Sequence, residues 1–305
     1  MHTIDRRVTV QIDRERCTGC AMCLRVCPSG TIAMVDGKAT VTGAESLSCG
    51  HCEAVCPAAA VTVGALANES QNFATFQHNS DWLAPGDGNL GELVRLMRSR
   101  RSCRNFQDRP VPQTMLEDLV KIAITAPSAT NCQPWSFTLL PSRDAVHQLS
   151  GMIAAFFKRL NRLAARRWLR RLLKMTGKPA LEDYYRNYFD SVAEGLAAWE
   201  QEGRDVLFHG APAAIIVGTR PGAACPKEDA LLATQNMLLG AHAMGLGSCL
   251  IGFAVSAFQN APAIQARLGI PAAEVIHAVA AIGFSDERYQ RLPGRKATFS
   301  RSWRP

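Results

Sequence analysis

The sequence predicts an α+β protein made of two unequal parts, and three observations lead to this prediction. Seven of the eleven cysteines fall before residue 57, in two groups with related spacing. After residue 89, apolar residues recur mainly at helical spacing, and the few segments typical of strands are widely separated by helices. A polar stretch rich in turn-forming residues lies between these two regions. We therefore expect a small N-terminal domain followed by one mostly antiparallel sheet covered by helices.

Composition limits the classes of protein that need consideration. The chain has 305 residues, of which 47% are hydrophobic, which favours a folded protein with more than one domain. No apolar run approaches the roughly 20 residues of a membrane span. The first residues, Met1–Arg7, lack the apolar core of a secretory signal, so we expect a cytoplasmic protein with reduced thiols.

The positive charge is local rather than general. The formal net charge is +8, and eight Arg or Lys residues with no acidic residue fall within 158–174. No pattern typical of an RNA-binding or DNA-binding module is present. We therefore expect no nucleic-acid partner.

The first cysteine group reads Cys17-Thr-Gly-Cys20-Ala-Met-Cys23-Leu-Arg-Val-Cys27-Pro28. This spacing is that of the bacterial ferredoxin run, in which three thiolates converge on one cubane and the fourth ligates a second cluster. Gly19 permits the close turn between the first two cysteines. Zinc is the alternative for paired cysteines, but four cysteines followed by a proline argue against it.

The second group, Cys49-Gly-His-Cys52-Glu-Ala-Val-Cys56-Pro57, repeats the pattern. Both groups lead into short apolar runs, which indicates an internal repeat. The repeat resembles the two-cluster bacterial ferredoxins. That resemblance implies two [4Fe–4S] clusters with crossed ligation: each cluster takes most of its cysteines from one group and one cysteine from the other group. The first set of ligands is Cys17, Cys20, Cys23 and Cys56, and the second is Cys49, Cys52 and Cys27.

The second group departs from the ferredoxin pattern at one position. Ser46 stands where the first cysteine of this group is expected, which leaves three thiolates for the second cluster. Ser46 or water could ligate the fourth iron, the site could hold three irons, or it could be labile and empty; a remote cysteine is a further alternative. We favour a cluster with incomplete thiolate ligation, and we interpret His51 as a surface turn residue.

Three domain segments follow from these patterns. We predict a ferredoxin-like iron–sulfur domain over 1–65, a connector over 66–89, and a second domain over 90–305 with a helical insert at 152–202. Aromatic residues in the connector, Phe73, Phe76 and Trp82, predict that it packs against the second domain.

The second domain is predicted to begin with a helix over Leu90–Met97. A second helix starts after Pro112 with a capping box between Thr114 and Glu117, and it ends before Pro127. Further elements are strands at Trp135–Leu140, Ala213–Gly218 and Val275–Gly283 and a long helix at Glu228–Met244.

Three polar segments of this domain stand out. Arg100–Phe106 places three guanidinium groups beside a hydroxyl, a set suited to phosphate oxygens. Ala126–Trp135 is a loop of small polar residues, and Gly245–Phe253 is interpreted as a glycine-punctuated loop after a helix. The glycines of the last segment do not fit the dinucleotide fingerprint.

In this order and spacing the three segments resemble the nitroreductase family of FMN flavoproteins, over the C-terminal two-thirds of the chain. The resemblance implies a homodimer in which two chains interlock and share two FMN sites. It implies phosphate and ribityl contacts from Arg100, Arg101, Ser102 and Arg104, with Arg295 as a second phosphate ligand. It implies a partner-subunit loop over the flavin made of Pro127, Ser128, Ala129 and Asn131. It also implies backbone contacts to the flavin ring from Leu250, Ile251 and Gly252.

These sites predict an FMN-dependent oxidoreductase with no catalytic nucleophile or base, because the flavin itself carries the chemistry. Electrons would come from the iron–sulfur clusters, from NAD(P)H, or from an external reduced ferredoxin or flavodoxin. They would pass to an organic acceptor such as a nitroaromatic, a quinone or an enone. The alternatives are a non-enzymatic electron carrier or redox sensor and a reductive dehalogenase. By analogy with the family, the insert is either a lid over the substrate side or a structural hairpin with a solvated basic face.

Overall fold

The computed structural model describes residues 5–66 and 72–304. Residues 1–4, 67–71 and 305, which include parts of all three predicted segments, lie outside the described residues. None of the described helices is long and apolar enough to cross a membrane.

The N-terminal region is a small repeat of strands and short helices around a core that contains cysteines. Strand β1 pairs with β4, and β2 pairs with β3, both antiparallel. Gly19 has a φ of 75°, and a Cβ there would collide with the carbonyl oxygen of Gly37, so the turn between Cys17 and Cys20 requires glycine. The elements are β1 (Val10–Ile12), α1 (Met22–Val26), β2 (Ile32–Val35), β3 (Lys38–Val41), α2 (His51–Ala54) and β4 (Val61–Val63).

The described part of the connector is anchored to the second domain by one carboxylate. Asp118 is fully buried and accepts hydrogen bonds from the backbone N–H groups of Ala74 and Thr75 and from the Thr75 hydroxyl, at 2.7 to 3.1 Å. Phe73 and Phe76 stack with ring centroids 4.5 Å apart, but Trp82 is 84% exposed. The predicted packing of Trp82 is therefore wrong for this chain, and the connector is held by polar bonds instead.

The second domain is organised around one antiparallel sheet with strand order β5-β6-β8-β7. The sheet separates two apolar cores, because both faces of its central strands are buried. Helices α4 and α9 cover one face, whereas α5, α10 and α11 lie in contact with the other. The strands are β5 (Trp135–Leu140), β6 (Ala213–Thr219), β7 (Leu246–Leu250) and β8 (Val275–Phe284).

The predicted fold is confirmed, and the element bounds agree closely with the sequence patterns. The helices of this domain are α3 (Leu90–Ser99), α4 (Gln113–Ala123), α5 (Arg143–Ala164), α6 (Arg167–Met175), α7 (Ala180–Asn187), α8 (Phe189–Glu202), α9 (Pro226–Ala243), α10 (Gly252–Asn260) and α11 (Pro262–Arg267).

Two local predictions are wrong. Gly245–Phe253 is not a loop: it contains edge strand β7, whose alternation is hidden because its residues are small and buried. A Cβ on Gly247 would lie 2.8 Å from the Cys103 Sγ, so the strand approaches the Arg100–Phe106 segment closely. The capping box is also absent, because α4 begins at Gln113 and its N-cap is Pro112.

The helical insert bends between α5 and α6, around Ala165 and Arg166. Arg170 at this bend is buried, forms an ion pair with Glu182 at 2.9 Å and lies over the Tyr185 ring at 3.5 Å. This arginine is therefore part of the internal packing of the insert rather than of a solvated basic face.

Candidate functional site

The second set of predicted cluster ligands lies together. Cys27, Cys49 and Cys52 line one narrow cavity, and Ser46 lines the same cavity. Burial first, and then the neighbouring Cys27 and Cys49, raises the pKa of the Cys52 thiol. The three thiols are therefore near neighbours despite the separation of Cys27 from the other two in sequence.

Ser46 is buried and already has a structural role. Its hydroxyl accepts the backbone N–H of Ser48 at 3.0 Å, which holds the turn before Cys49. The hydroxyl keeps acceptor capacity beyond this bond, since an oxygen carries two lone pairs. Ser46 therefore lies in the same cavity as the three thiols and keeps a free lone pair on its hydroxyl oxygen.

Three of the first set of predicted ligands, Cys17, Cys20 and Cys23, lie close enough to influence one another. Cys17 and Cys23 are buried, and the Cys23 pKa is raised by burial and then by the charges of Cys17 and Cys20. Hydrogen bonds from the backbone at Ala39 and Gly19 lower the pKa of Cys17, which favours its thiolate. Cys56 accepts the backbone N–H of Ala60 at 3.3 Å, a bond that a ligating thiolate retains.

The thiols fit a cluster better than a single ion. Within the described residues, no three His, Cys, Asp or Glu side chains converge as the ligands of one metal ion do. A four-iron cluster places its thiolates around a cube, so they stand further apart than the ligands of a zinc ion. The grouping of the cysteines therefore agrees with the donor set of two clusters.

A second site is a small cavity of about 300 Å³ whose walls are mostly guanidinium groups. Arg100, Arg101 and Arg104 come from the segment after α3, and Arg295 comes from the C-terminal segment. Burial, and then the charges of Arg295 and Arg101, lowers the pKa of Arg100. Such a concentration of positive charge is suited to an anion with several oxygens, such as a phosphate. Ser102 and Tyr289 complete the lining.

Arg104 also lines a larger cavity of about 790 Å³, so the two spaces adjoin. The larger cavity contains the predicted ring-contacting residues Leu250, Ile251 and Gly252. They lie where β7 ends and α10 begins, so backbone N–H groups at the start of α10 remain available to a ligand.

The other wall of the larger cavity is aromatic and comes largely from the insert. Phe157, Tyr184 and Tyr188 belong to it, and Phe253 packs edge-on against Phe157 and Tyr188. The Tyr184 hydroxyl donates to the Asn161 side chain at 2.5 Å, and burial raises the pKa of Tyr184 to about 12. The Tyr184 ring is therefore fixed in position, and its hydroxyl is neutral at ordinary pH.

The predicted partner-subunit loop lies elsewhere. Its backbone is held by Asp229, whose carboxylate accepts the Ala129 N–H at 2.9 Å and whose carbonyl accepts the Trp135 indole N–H at 2.9 Å. The loop leads into β5, at the opposite edge of the sheet from β7. Across the sheet, Trp135 of β5 pairs with Thr219 of β6, which pairs with Val275 of β8. At the other edge, Leu250 of β7 pairs with Ala280 of β8.

These pairings separate the two halves of the predicted flavin site within one chain. Trp135 and Leu250 are separated by three strands across the sheet and by five residues along the strand direction. These two displacements together give a distance of roughly 20 Å. Of the twelve predicted flavin-site residues, eight therefore surround the two adjoining cavities, and Pro127, Ser128, Ala129 and Asn131 lie away from them. This is the arrangement that a site shared between two copies of the chain requires.

Some residues of these sites were not found from the sequence. Asp229 resembles an ordinary first-turn acid of α9, and Tyr289 lies in a segment without periodicity. The aromatic residues of the insert were visible as a group, yet only the fold shows which of them face the cavity.

The comparisons with known proteins decide the family. A model of the nitroreductase family matches residues 97–284, and a model of a 4Fe–4S dicluster domain matches residues 9–57. The chain belongs to the nitroreductase family. The predicted fusion of such a domain to an N-terminal iron–sulfur domain is thereby confirmed, whereas the exact domain boundaries and the individual site residues stay predictions.

Individual relatives of this nitroreductase-family chain are distant. A 4-nitrobenzoate reductase from Nocardioides sp. is 26% identical over 211 residues, covering 64% of this chain and 81% of that protein. The rat iodotyrosine deiodinase 1 is 30% identical over 115 residues, covering 36% of this chain and 37% of that protein. A nitroreductase from Bacteroides fragilis solved with bound FMN has a TM-score of 0.50 at 19% identity, covering 68% of this chain and 97% of that one. The last similarity concerns the fold.

Proposed function

We propose that this nitroreductase-family chain is a homodimeric FMN-dependent oxidoreductase in which the N-terminal clusters supply electrons to the flavin. The observation that carries the proposal is the arginine-lined cavity opening, through Arg104, into the larger aromatic cavity. A phosphate tail and a flat ring joined by a short chain need two such adjoining spaces. FMN, when bound, accepts electrons and passes hydride to an acceptor.

The chain's own residues have distinct tasks in this proposal. The guanidinium groups of Arg100, Arg101, Arg104 and Arg295 bind the phosphate and fix the register of the cofactor. Backbone N–H groups near Gly252 orient the ring. Phe157, Tyr184, Tyr188 and Phe253 stack on a flat acceptor and exclude water. No side chain needs to act as nucleophile or base.

His209 lines the same cavity but is not a proton donor in this proposal. Burial, and then the charge of Arg104, lowers the pKa of His209. The imidazole is therefore neutral at neutral pH and can offer only a neutral hydrogen bond. Protons for the reduced acceptor come from solvent.

The acceptor we propose is a nitroaromatic, a quinone or an enone. Support comes from the aromatic wall and from the similarity to a protein named 4-nitrobenzoate reductase. Reductive dehalogenation of an aromatic compound is the second candidate, favoured by the similarity to iodotyrosine deiodinase 1. Incubation of the reduced protein with 4-nitrobenzoate and, separately, with 3-iodotyrosine distinguishes them by product analysis.

The phosphate site is tested with two cofactors that differ only in the phosphate. Arg100→Ala should weaken binding of FMN by one charge-assisted bond, about 1.5–3 kcal/mol or roughly 10- to 150-fold. Riboflavin has no phosphate, so its affinity should not change. Arg98→Ala, at the exposed end of α3 and outside the cavity, is the matched control. Equal loss of FMN and riboflavin affinity in Arg100→Ala would contradict the assignment.

Enzymatic turnover is tested separately from binding. Protein reduced anaerobically by dithionite, then freed of excess reductant, should be reoxidised stoichiometrically by menadione or 4-nitrobenzoate with formation of reduced product. An electron carrier or sensor would become reduced but would not convert 4-nitrobenzoate, whereas menadione only reports that reduced centres are accessible.

A further inference from the structure

We infer that electrons cross the dimer: the clusters of one chain reduce the flavin whose phosphate is held by the arginines of the other chain. This inference rests on the proposed function and adds the direction of electron transfer within it. It comes from a contact between the iron–sulfur region and the loop that precedes β5.

That contact is direct. The Asn131 side-chain amide donates to the carbonyl oxygens of Leu47 and Ser48, at 3.2 and 3.0 Å. Ser48 immediately precedes Cys49, a predicted ligand of the second cluster. One hydrogen bond and one peptide unit therefore connect this loop to the cysteine.

The contact is also fixed rather than incidental. Ser48, Thr130, Asn131 and Gln133 all have positive φ, between 43° and 52°, which non-glycine residues adopt only when their surroundings impose it. The side-chain amide of Gln133 donates to the Asn131 side-chain oxygen at 3.1 Å. The backbone N–H of Gln133 donates to the Ser128 hydroxyl at 3.0 Å. The loop is thereby held against the turn that carries the cluster ligand.

The same chain's phosphate-binding arginines are not beside this loop. They adjoin the β7 edge of the sheet, through the bridge between Ser102 and Ser248, whereas the loop adjoins the β5 edge. The cavity of about 730 Å³ next to the loop is lined by residues of both domains, including Leu47, Ser48 and Asn131, and by none of the four cavity arginines. A flavin whose ring lies against this loop and whose phosphate lies in the arginine cavity therefore bridges two copies of the chain.

Surfaces suited to a second copy are present. Helix α3, which leads into the arginine segment, has no buried residue and exposes Leu90, Leu93, Val94 and Met97. Helix α9 exposes Leu231 and Leu232. An apolar stripe of this kind on the helix that carries Arg100 favours burial against another protomer.

The electron balance is simple. With both kinds of centre bound, a low-potential one-electron donor would reduce the clusters of one chain. Two single-electron transfers from those clusters, with two protons from solvent, would then give two-electron-reduced FMN on the arginines of the partner chain. The clusters return to their oxidised state, and no covalent bond to the protein forms.

Mixed dimers test this direction. The two lesions are Cys49→Ala, which removes a ligand of the second cluster, and Arg100→Ala with Arg104→Ala, which removes the phosphate site. In the divided dimer, one chain carries the cysteine lesion and the other carries the arginine lesion. In the combined dimer, both lesions lie in one chain and the other chain is wild type. Two affinity tags purify each mixed dimer, and each should retain half of the wild-type FMN.

The measurement is the anaerobic bleaching of the flavin by limiting dithionite in a rapid-mixing instrument. The divided dimer should keep the cluster-dependent phase of the wild type, because intact clusters lie beside the one bound flavin. The combined dimer should lose that phase. The opposite pattern would show transfer within one chain and would overturn the inference.

Homodimers separate failure of this inference from failure of the proposed function. If a homodimer with both Cys23→Ala and Cys49→Ala, which removes a ligand of each cluster, bleached at the wild-type rate, the clusters would not supply electrons to the flavin and the proposed function itself would fail. If this homodimer bleached more slowly than the wild type, the clusters would supply electrons to the flavin. The opposite pattern in the mixed dimers would then contradict only the inference that electrons pass between chains.

A milder substitution gives a second test that can be read even if the cysteine or arginine variants fold poorly. Asn131→Ala is placed in either chain of the divided dimer. It should slow the cluster-dependent phase when it lies in the chain with intact clusters, and have no effect in the other chain. Equal rates for the two placements would overturn the inference.

Discussion

The N-terminal region and the second domain have different kinds of core. The buried core of the N-terminal region includes Cys17, Cys23 and Cys52 among a few small apolar residues. The second domain has two extensive cores, one on each face of its sheet, built from leucine, isoleucine, valine, alanine and phenylalanine. From this contrast we expect the N-terminal region to depend on its clusters for folding far more than the second domain depends on its cofactor.

The largest effect expected from this comparison is regional unfolding on loss of a cluster ligand. Cys23→Ala should remove the first cluster and expose residues 5–66 to hydrogen exchange, because the remaining apolar core is too small to fold alone. The second domain should keep its protection and its FMN. Cys225→Ala, at an exposed cysteine, is the control. Unchanged protection of 5–66 in iron-free Cys23→Ala would break the comparison.

A core substitution in the second domain should lower stability without loss of iron. Leu119 is fully buried between α4 and the sheet, so Leu119→Ala should lower the free energy of unfolding by about 2–5 kcal/mol. Denaturation followed through tryptophan fluorescence measures the loss, and the iron content of the folded protein should stay at the wild-type level. Leu232→Ala, at a position 47% exposed, should cost much less. Similar losses for both variants would contradict the assigned core.

Asp118 anchors the connector to the second domain, and its replacement should give an intermediate effect. Burial acts to raise the pKa of this carboxyl, but the bonds from Thr75 and Ala74 outweigh it and hold the pKa below its usual value. Asp118→Asn should lower stability at neutral pH by about 1.5–3 kcal/mol and expose the connector to proteases. Asp108→Asn, at a 95% exposed carboxylate, is the control. A connector as protected as in the wild type would contradict the anchor.

The sign of the pH dependence follows from the lowered pKa of Asp118. Its contribution to stability is fully present above about pH 5, where the carboxyl of the unfolded chain is almost fully ionised. It is lost as the pH falls through the folded pKa, and Asp118→Asn should lack this part of the acid destabilisation.

The smallest predicted change concerns one cluster alone. Ser46→Cys should supply a fourth thiolate to the second cluster and slow its loss in air, without a change in the fold. Iron content after a timed exposure to oxygen measures it, with Ser46→Ala as the matched control. If the cysteine and alanine variants lost iron at the same rate, position 46 would not face the cluster.

The sequence predicted most reliably where one strong pattern decides the structure. The cysteine spacing placed the iron–sulfur region, and the β-branched and aromatic run beginning at Trp135 gave β5 its exact bounds. Strand β7 was missed because Gly247, Ser248 and Cys249 are small residues with little strand propensity, and only pairing with β8 makes them a strand.

The candidate site shows the same limit. The segment around Arg100 could be recognised because its guanidinium groups are adjacent in sequence. The anchoring roles of Asp118 and Asp229 could not, because their partners are backbone groups far away in the chain, and an acid in a helix otherwise indicates a solvated face. The contact of Asn131 with Ser48 likewise depends on how two domains meet, which no local pattern encodes.

One chain that holds both iron–sulfur clusters and a flavin should contain iron and FMN in fixed amounts. Anaerobically purified protein should show the absorbance of both chromophores, with one FMN and more than about four irons per chain. Protein that contains neither iron nor flavin, and that cannot be reconstituted with either, would contradict the account.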